Sequence, residues 1–219
     1  MGGRLRNRRT RDLGCRAVND PAAILPRLRE VPADAVLAER PPLPDMPPPF
    51  GLRPVDPDSG DPELIAGWMA LPHLVAAWEQ DWGPDRWRAD ARARLDGTYS
   101  MPAIIRYEDR DVGYLEVYRP MRDEIGVLYG ASPHDLGYHI AIGRPELTGR
   151  GIFGRFMAEL GPAMLRSDPE CEKLAVEPDY RNTVVHKILR GAGWRDEGEF
   201  DARPDRRIRL FTYERGTGR

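Results

Sequence analysis

Residues 148–154, with the sequence TGRGIFG, form a glycine-rich turn that could bind an anion. The turn lies between a predicted strand and a predicted amphipathic helix, so its backbone N–H groups point out of a helix N-terminus. Unpaired N–H groups and the helix dipole favour negative charge there, and glycine lets the backbone approach a phosphate closely. The motif lacks the Gly-Lys-Ser/Thr ending of a P-loop and the spacing of a dinucleotide fingerprint. An ordinary glycine-rich turn is the alternative.

A histidine and an aspartate are the candidates for acid–base chemistry. His139 belongs to the segment GYHIAI, in which strand alternation places it with Ala141 on one face. An imidazole with an ordinary pKa of about 6.5 could act as a general base at neutral pH. Asp179 follows a predicted strand and could orient that imidazole or bind a cationic group. The alternative is a structural, hydrogen-bonded histidine and a helix-capping aspartate.

Three further side chains are candidates for a substrate pocket. His73 lies between two predicted helices with Trp78 nearby, although a single tryptophan is more often part of the core. Glu116 lies on a strand and could receive the charged end of an amino-acid-like acceptor, or it could be a solvated strand carboxylate. His134 and His186 are predicted to lie on the surface, and the histidines are too scattered to indicate a metal site.

A mixed α/β framework is needed to position these residues. After a first strand and three helical segments, the sequence predicts antiparallel strands, and helices then alternate with strands to the end of the chain. This order indicates an α/β (α+β) fold with a mixed, mostly antiparallel sheet of about six to seven strands flanked by helices. The predicted strands are 50–56, 101–107, 112–118, 136–142, 173–177, 194–200 and 207–213.

The chain divides by composition near residue 50. Residues 1–49 are rich in arginine and proline and have no helical or strand period, so they are predicted to form a partly disordered arm. A basic arm that contacts a partner is the alternative. Residues 50–219 are predicted to form the compact domain, since 41% of the 219 residues are hydrophobic, which is enough to bury a core.

Composition also excludes several classes of protein. No run of about 18 apolar residues is present, which excludes a membrane-spanning helix, and the basic N-terminus lacks the apolar region of a secretory signal. The cysteines, Cys15 and Cys171, cannot form a disulfide framework, so we expect a cytoplasmic protein. A net charge of −2 gives no indication of nucleic-acid binding.

The order of strand, glycine-rich turn, helix, strand, helix and strand resembles the GNAT acyl-coenzyme A N-acyltransferases. In that family the turn reads R/Q-x-x-G-x-G/A, and its amides hold the pyrophosphate of the coenzyme. Gly151 matches the first glycine, whereas Thr148 and Phe153 depart from the pattern. The resemblance implies coenzyme contacts at the end of the preceding strand and along the turn, at Ile140, Ala141, Ile142, Gly149, Arg150, Gly151, Ile152, Phe153 and Gly154.

A second segment, EPDYRNTVVHKILRGAGW (177–194), resembles the family motif P-x-N-x-x-A-x-x-x-Y-x-K-x-G-F. Asn182 falls on its asparagine, which implies a further coenzyme contact. Leu189 occupies the position where many members carry a tyrosine general acid. That tyrosine mechanism is therefore excluded here.

The resemblance is closest to the siderophore lysine N-acyltransferases, the branch that includes the enzymes of mycobactin and aerobactin assembly. It covers residues 50–213 and rests on MALPHLVAAWEQDWGPDRWR, LDGTYSMP, GYLEVY, HDLGYHIAI and EPDYRNT. It implies that His139 and Asp179 are catalytic. It also places His73 and Trp78 in the wall of the acceptor pocket, where Glu116 is a further candidate.

The implied reaction is acyl transfer from acyl-coenzyme A to a terminal amine or N-hydroxyamine in hydroxamate siderophore biosynthesis. The acceptor would be lysine-like: lysine, N-hydroxylysine, hydroxycadaverine or hydroxyornithine. Its nitrogen would attack the thioester directly, without a metal, and the donor would be acetyl-coenzyme A or a longer acyl-coenzyme A. An acyl carrier protein is a further possible partner. The rival functions are an aminoglycoside-type N-acetyltransferase and a non-catalytic acyl-coenzyme A binding module.

Overall fold

The computed structural model describes residues 24–78 and 80–216. The helices and strands are β1 (Phe50–Pro54), α1 (Asp61–Met69), α2 (Pro72–Trp78), α3 (Pro84–Asp96), β2 (Ser100–Tyr107), β3 (Arg110–Tyr118), α4 (Gly126–Tyr129), β4 (Gly137–Ile142), α5 (Ile152–Ser167), β5 (Lys173–Val176), α6 (Thr183–Gly191), β6 (Arg195–Arg203) and β7 (Arg206–Glu214). Each predicted strand is present, with its ends moved by a few residues at most. The short helix α4 was not predicted.

The strands form two antiparallel sheets, ordered β1-β2-β3-β4 and β5-β7-β6. The sheets meet at one parallel bridge, where Leu136 pairs with Leu174. The Leu136 carbonyl accepts a 2.9 Å hydrogen bond from the N–H of Ala175. Beyond this bridge, the described strands pair β4 with β3 only, so β4 and β5 separate and leave a cleft between them. The predicted mixed, mostly antiparallel α/β fold is confirmed, with its strands divided between two sheets.

Helix α5 covers the sheets and fixes the position of the turn that precedes it. Its apolar side chains recur every four residues, so one face of the helix is buried. Phe156, Leu160 and Met164 are each 0% exposed and belong to the same core cluster as Leu115 of β3 and Leu174 of β5. The N-terminus of α5 is thereby held at the mouth of the cleft.

The described part of the N-terminal segment, residues 24–49, lies against the domain. Leu25 and Met46 are 2% and 6% exposed and belong to core clusters of the domain. Leu28 forms an isolated bridge with Asp123. The boundary at residue 50 stays a prediction, and residues 1–23 of the predicted arm, with Cys15, lie outside the described residues. Within the described ranges, no helix has the length and apolar composition needed to cross a membrane.

Candidate active site

A cleft of about 1190 Å³ opens where β4 and β5 separate. Its walls come from β4, the glycine-rich turn, the residues after β5 and the first turns of α6, with α2 along one side. Most of the predicted site residues line it: His73, Trp78, His139, Ile140, Ile142, Gly149, Gly151, Phe153, Gly154, Asp179 and Asn182. The separation of the strands therefore brings together residues from distant parts of the chain.

His139 lies in the cleft between two buried carboxylates. Its Nδ1 is 3.0 Å from Oε2 of Glu116, and its Nε2 is 2.6 Å from Oε1 of Glu177. The imidazole stacks on the ring of Tyr118 with centroids 4.4 Å apart. Burial and the neighbouring Arg27 lower the pKa of His139, but the two glutamates outweigh them and raise it. A proton taken up by His139 would therefore be stabilised by charge on both sides of the ring.

Glu177 is a site residue that the sequence analysis missed. Its side chain is 0% exposed, and its Oε2 accepts a 2.6 Å hydrogen bond from the hydroxyl of Tyr118. Burial raises the pKa of Glu177, but His139 and Arg206 lower it well below its ordinary range, so the carboxylate is charged. Glu177 ends the predicted strand 173–177, and nothing in the sequence distinguished its carboxylate from that of Asp179, two residues later.

The carboxylate of Asp179 contacts Arg181. Its Oδ1 accepts hydrogen bonds from the backbone N–H of Arg181 at 2.8 Å and from Nε of the same residue at 2.9 Å. The side chain is 37% exposed and faces the cleft. Glu116 and Glu177, rather than Asp179, orient the imidazole of His139. A catalytic or acceptor-binding role for Asp179 stays a prediction.

Glu116 belongs to a buried ionic network beneath His139. It is 3% exposed, which excludes the solvated strand carboxylate considered above. Its Oε1 lies 3.1 Å from Nη2 of Arg94 and accepts a 3.0 Å hydrogen bond from the hydroxyl of Tyr114. Burial raises the pKa of Glu116, but Arg94 and His139 lower it to about 2. Glu116 is thus a charged partner that holds Nδ1 of His139, while binding of an acceptor by Glu116 stays a prediction.

Two side chains of the α2 helix contact the outer edge of β4. The N–H of Gly143 donates to β3, and in an antiparallel pair alternate residues point their backbone groups away from the partner. The backbone N–H and C=O groups of Ile140 and Ile142 therefore point away from β3. The indole N–H of Trp78 donates to the carbonyl of Ile140 at 3.2 Å, and Nε2 of His73 lies 3.1 Å from the carbonyl of Ile142. The predicted coenzyme contacts thus share one strand edge with the predicted pocket wall.

The glycine-rich turn presents an open backbone at the mouth of the cleft. Gly149 and Gly151 have left-handed φ angles of 71° and 77°, which favour glycine. A Cβ added at Gly149, Gly151 or Gly154 would meet no atom within 4 Å, because all three face open space. The turn begins the 16-residue helix α5, whose dipole favours an anion there. These features fit the phosphates of a coenzyme.

Three of the other predicted coenzyme contacts do not line the cleft, and the side chain of the fourth caps a helix. Arg150 and Ile152 line a smaller depression on the other side of the turn, and Ala141 is 1% exposed in the core. The side chain of Asn182 caps α6, where its Oδ1 accepts a 3.2 Å hydrogen bond from the N–H of Val185. Coenzyme binding by these four residues, and by those that line the cleft, stays a prediction.

Two other histidines were predicted to lie on the surface. His186 is 3% exposed, with Nε2 3.0 Å from the carbonyl of Asp179, so that prediction is wrong. The side chain of His134 is 33% exposed, and its Nε2 is 3.4 Å from Oε2 of Glu170. Among the residues that the structure describes, no three His, Cys, Asp or Glu side chains are grouped to hold a metal ion.

Comparison with known proteins identifies the family of the chain. A family profile described as acetyltransferase (GNAT) domain matches residues 58–202. A lysine N-acyltransferase, MbtK, of Mycobacterium sp. (strain MCS) is 40% identical over 193 residues, covering 88% of this chain and 78% of that protein. An N(6)-hydroxylysine O-acetyltransferase of Escherichia coli is 29% identical, over 76% of this chain and 52% of that protein.

A solved structure with the same fold is the aminoglycoside acetyltransferase AAC(6')-Ib in complex with coenzyme A. It has a TM-score of 0.68 and 18% identity, and the match covers 77% of this chain and 96% of that one. At 18% identity, this similarity establishes a shared fold and nothing further. The matched family profile shows that the chain belongs to the GNAT acetyltransferase family. The class is that of acyl-coenzyme A-dependent acyltransferases, which bind the thioester and an amine acceptor.

Replacing Gly151 by valine should weaken binding of the acyl donor. A β-branched residue is strained at a φ of 77°, and its side chain would cover backbone amides that face the cleft. We expect the KM for acyl-coenzyme A to rise about tenfold, equivalent to about 1.4 kcal/mol. Steady-state kinetics with varied donor would measure this.

Gly67→Ala is the matched control for Gly151→Val. Gly67 is an exposed glycine inside α1, and a Cβ there also meets no atom within 4 Å. Its replacement should leave the donor KM unchanged. A Gly151→Val variant with the wild-type donor KM would place the coenzyme phosphates elsewhere.

Proposed function

We propose that this enzyme transfers an acyl group from acyl-coenzyme A to the terminal amine or N-hydroxyamine of a lysine-like acceptor, in hydroxamate siderophore assembly. The relatives named above support this assignment, since their names specify lysine and N6-hydroxylysine as acceptors. N-hydroxyputrescine and N5-hydroxyornithine acetyltransferases are also related, at 29% and 28% identity. The acceptor and the acyl chain are part of the proposal, and coenzyme A rather than an acyl carrier protein is the proposed carrier.

The main support for the proposal is the imidazole of His139, which lies between two buried carboxylates. Glu116 lies 3.0 Å from Nδ1 within the buried network, whereas Glu177 and Arg27, which approach Nε2, line the cleft. Nε2 is therefore the ring nitrogen on the substrate side and the proposed proton acceptor, and both charged glutamates stabilise the imidazolium that results. This arrangement fits a general base that receives positive charge during the reaction.

In the proposed reaction the acceptor nitrogen attacks the thioester carbon, and a C–N bond replaces the C–S bond. The proton lost by the nitrogen passes to Nε2 of His139, and the thiolate of coenzyme A leaves and takes a proton from solvent. The outward backbone N–H groups of Ile140 and Ile142 are the proposed donors to the oxyanion. The amides of the turn at Gly149 and Gly151 would hold the pyrophosphate. Asp179 is the proposed partner of a cationic group on the acceptor.

An assay of coenzyme A thiol release tests the proposal. The acceptor panel would contain lysine, N6-hydroxylysine, N-hydroxycadaverine, N5-hydroxyornithine and kanamycin, each with acetyl-coenzyme A and with longer acyl donors. We expect the highest kcat/KM with a lysine-like N-hydroxyamine, because that nitrogen is neutral at pH 7, whereas a lysine amine has a pKa of about 10.4. Preference for kanamycin would favour an antibiotic-modifying enzyme. Donor binding without turnover of any acceptor would favour a non-catalytic module.

A further inference from the structure

The N-terminal residues 24–29, called the strap below, cross the cleft beside His139. Leu25 anchors the strap at one end, since it is 2% exposed and packed in a core cluster. At the other end, the N–H of Arg29 donates a 3.0 Å hydrogen bond to the loop that follows β3. Arg27 lies between these two anchors, and its side chain is 16% exposed.

The guanidinium of Arg27 contacts the basic atom of His139. Its Nη1 lies 2.5 Å from Nε2 of His139 and 3.7 Å from Oε1 of Glu177. At these distances the guanidinium fills the space beside Nε2 on the side of the ring that lines the cleft. When Arg27 is in place, no second nitrogen can approach Nε2 from the cleft.

A lysine-like acceptor would bring a similar group to the same atom. Its reactive nitrogen carries N–H donors at the end of an unbranched stem, as the Arg27 side chain does. Two groups cannot occupy the same position beside Nε2, and two cations a few ångströms apart repel strongly where water is partly excluded. The acceptor can thus reach Nε2 of His139 only after Arg27 has left.

We propose that Arg27 occupies the subsite of the acceptor nitrogen, between His139 and Glu177, and that the strap competes with the acceptor for this subsite. The inference rests on the proposed function. The subsite takes the nitrogen end of an unbranched aliphatic side chain, whether an ammonium or an N-hydroxyamine. Opening of the strap precedes acyl transfer.

Arg27→Ala tests the proposal through the KM of the acceptor. If the strap is closed in about nine of ten molecules, the apparent affinity for the acceptor is reduced about tenfold. We expect Arg27→Ala to lower the KM for N6-hydroxylysine by about that factor, while kcat and the donor KM change less than about twofold. Leu25→Ala, which loosens the anchor and keeps the guanidinium, should shift the acceptor KM in the same direction.

Arg29→Ala is the matched control on the strap. It removes the same charge, but the Arg29 guanidinium contacts only the carbonyl of Glu30, at 3.4 Å, among the hydrogen bonds that the described residues make with it. Its acceptor KM should equal that of the wild type. An Arg27→Ala variant that loses kcat at unchanged acceptor KM would make Arg27 a positioning residue and overturn the proposal. Unchanged values of both constants would overturn it as well.

Calorimetry with butylguanidinium gives a readout that does not need turnover. This probe has the head group and stem of the Arg27 side chain, so we expect it to bind Arg27→Ala about tenfold more tightly than the wild type. Equal binding, or no binding to either protein, would overturn the subsite. If the wild type released no thiol with any acceptor, the proposed acyl transfer would fail, and the binding result would still report whether the subsite exists.

Discussion

Replacing His139 by alanine should lower kcat by roughly 10²–10⁴-fold, the range for a positioned general base. The side chain lost is the one held by Glu116 at 3.0 Å and Glu177 at 2.6 Å, in the cleft between β4 and β5. The defect should be larger with lysine than with N6-hydroxylysine as acceptor, because only the lysine amine is protonated at pH 7. Steady-state thiol release with both acceptors, over a range of pH, would measure it.

The donor KM of His139→Ala should stay near the wild-type value, since the proposed coenzyme contacts lie on the glycine-rich turn. His139→Gln is a second variant that keeps a polar group between the buried glutamates, and it should lose turnover to a similar degree. Melting temperatures of both variants would identify a loss caused by unfolding. If either variant kept more than about a third of wild-type kcat with both acceptors, His139 would be a structural histidine.

Glu177→Gln should move the acidic limb of the pH profile of kcat/KM to lower pH. Glu177 is one of the two carboxylates that raise the pKa of His139, so its removal lowers that pKa, and the neutral imidazole persists to lower pH. An opposite charge at this distance shifts a pKa by about 1–3 units, which sets the expected displacement of the limb. The weaker base should also reduce kcat, by about tenfold or more.

Two comparisons separate this effect of Glu177 from simple structural damage. Glu177→Asp keeps the charge and should restore part of the pH profile. Asp179→Asn removes a carboxylate from the same cleft, but one whose hydrogen bonds go to Arg181, so the acidic limb should stay in place. A Glu177→Gln profile that coincides with the wild type would contradict the role given to Glu177.

Local signals in the sequence were enough to predict most of the helices and strands. Proline stands at the first or second position of α1, α2 and α3, where its missing N–H costs nothing and its fixed φ favours the helix. Strand alternation placed His139 with Ala141 on one face of its strand, and glycine spacing located the turn before α5. The family motifs supplied the anion-binding interpretation, which the open backbone at Gly149 and Gly151 supports.

The partners of His139 were decided only by the tertiary structure. Glu177 is 38 residues away along the chain and Arg27 is 112 residues away, so no spacing rule links either of them to His139. The separation of β4 from β5 brings Glu177, rather than Asp179, against the imidazole. Burial then fixes the charges, because a buried carboxylate or imidazole is stable only with a partner. By itself, the sequence determined the elements, the candidate histidine and the glycine-rich turn; tertiary packing decided which carboxylates hold that histidine and which arginine contacts it.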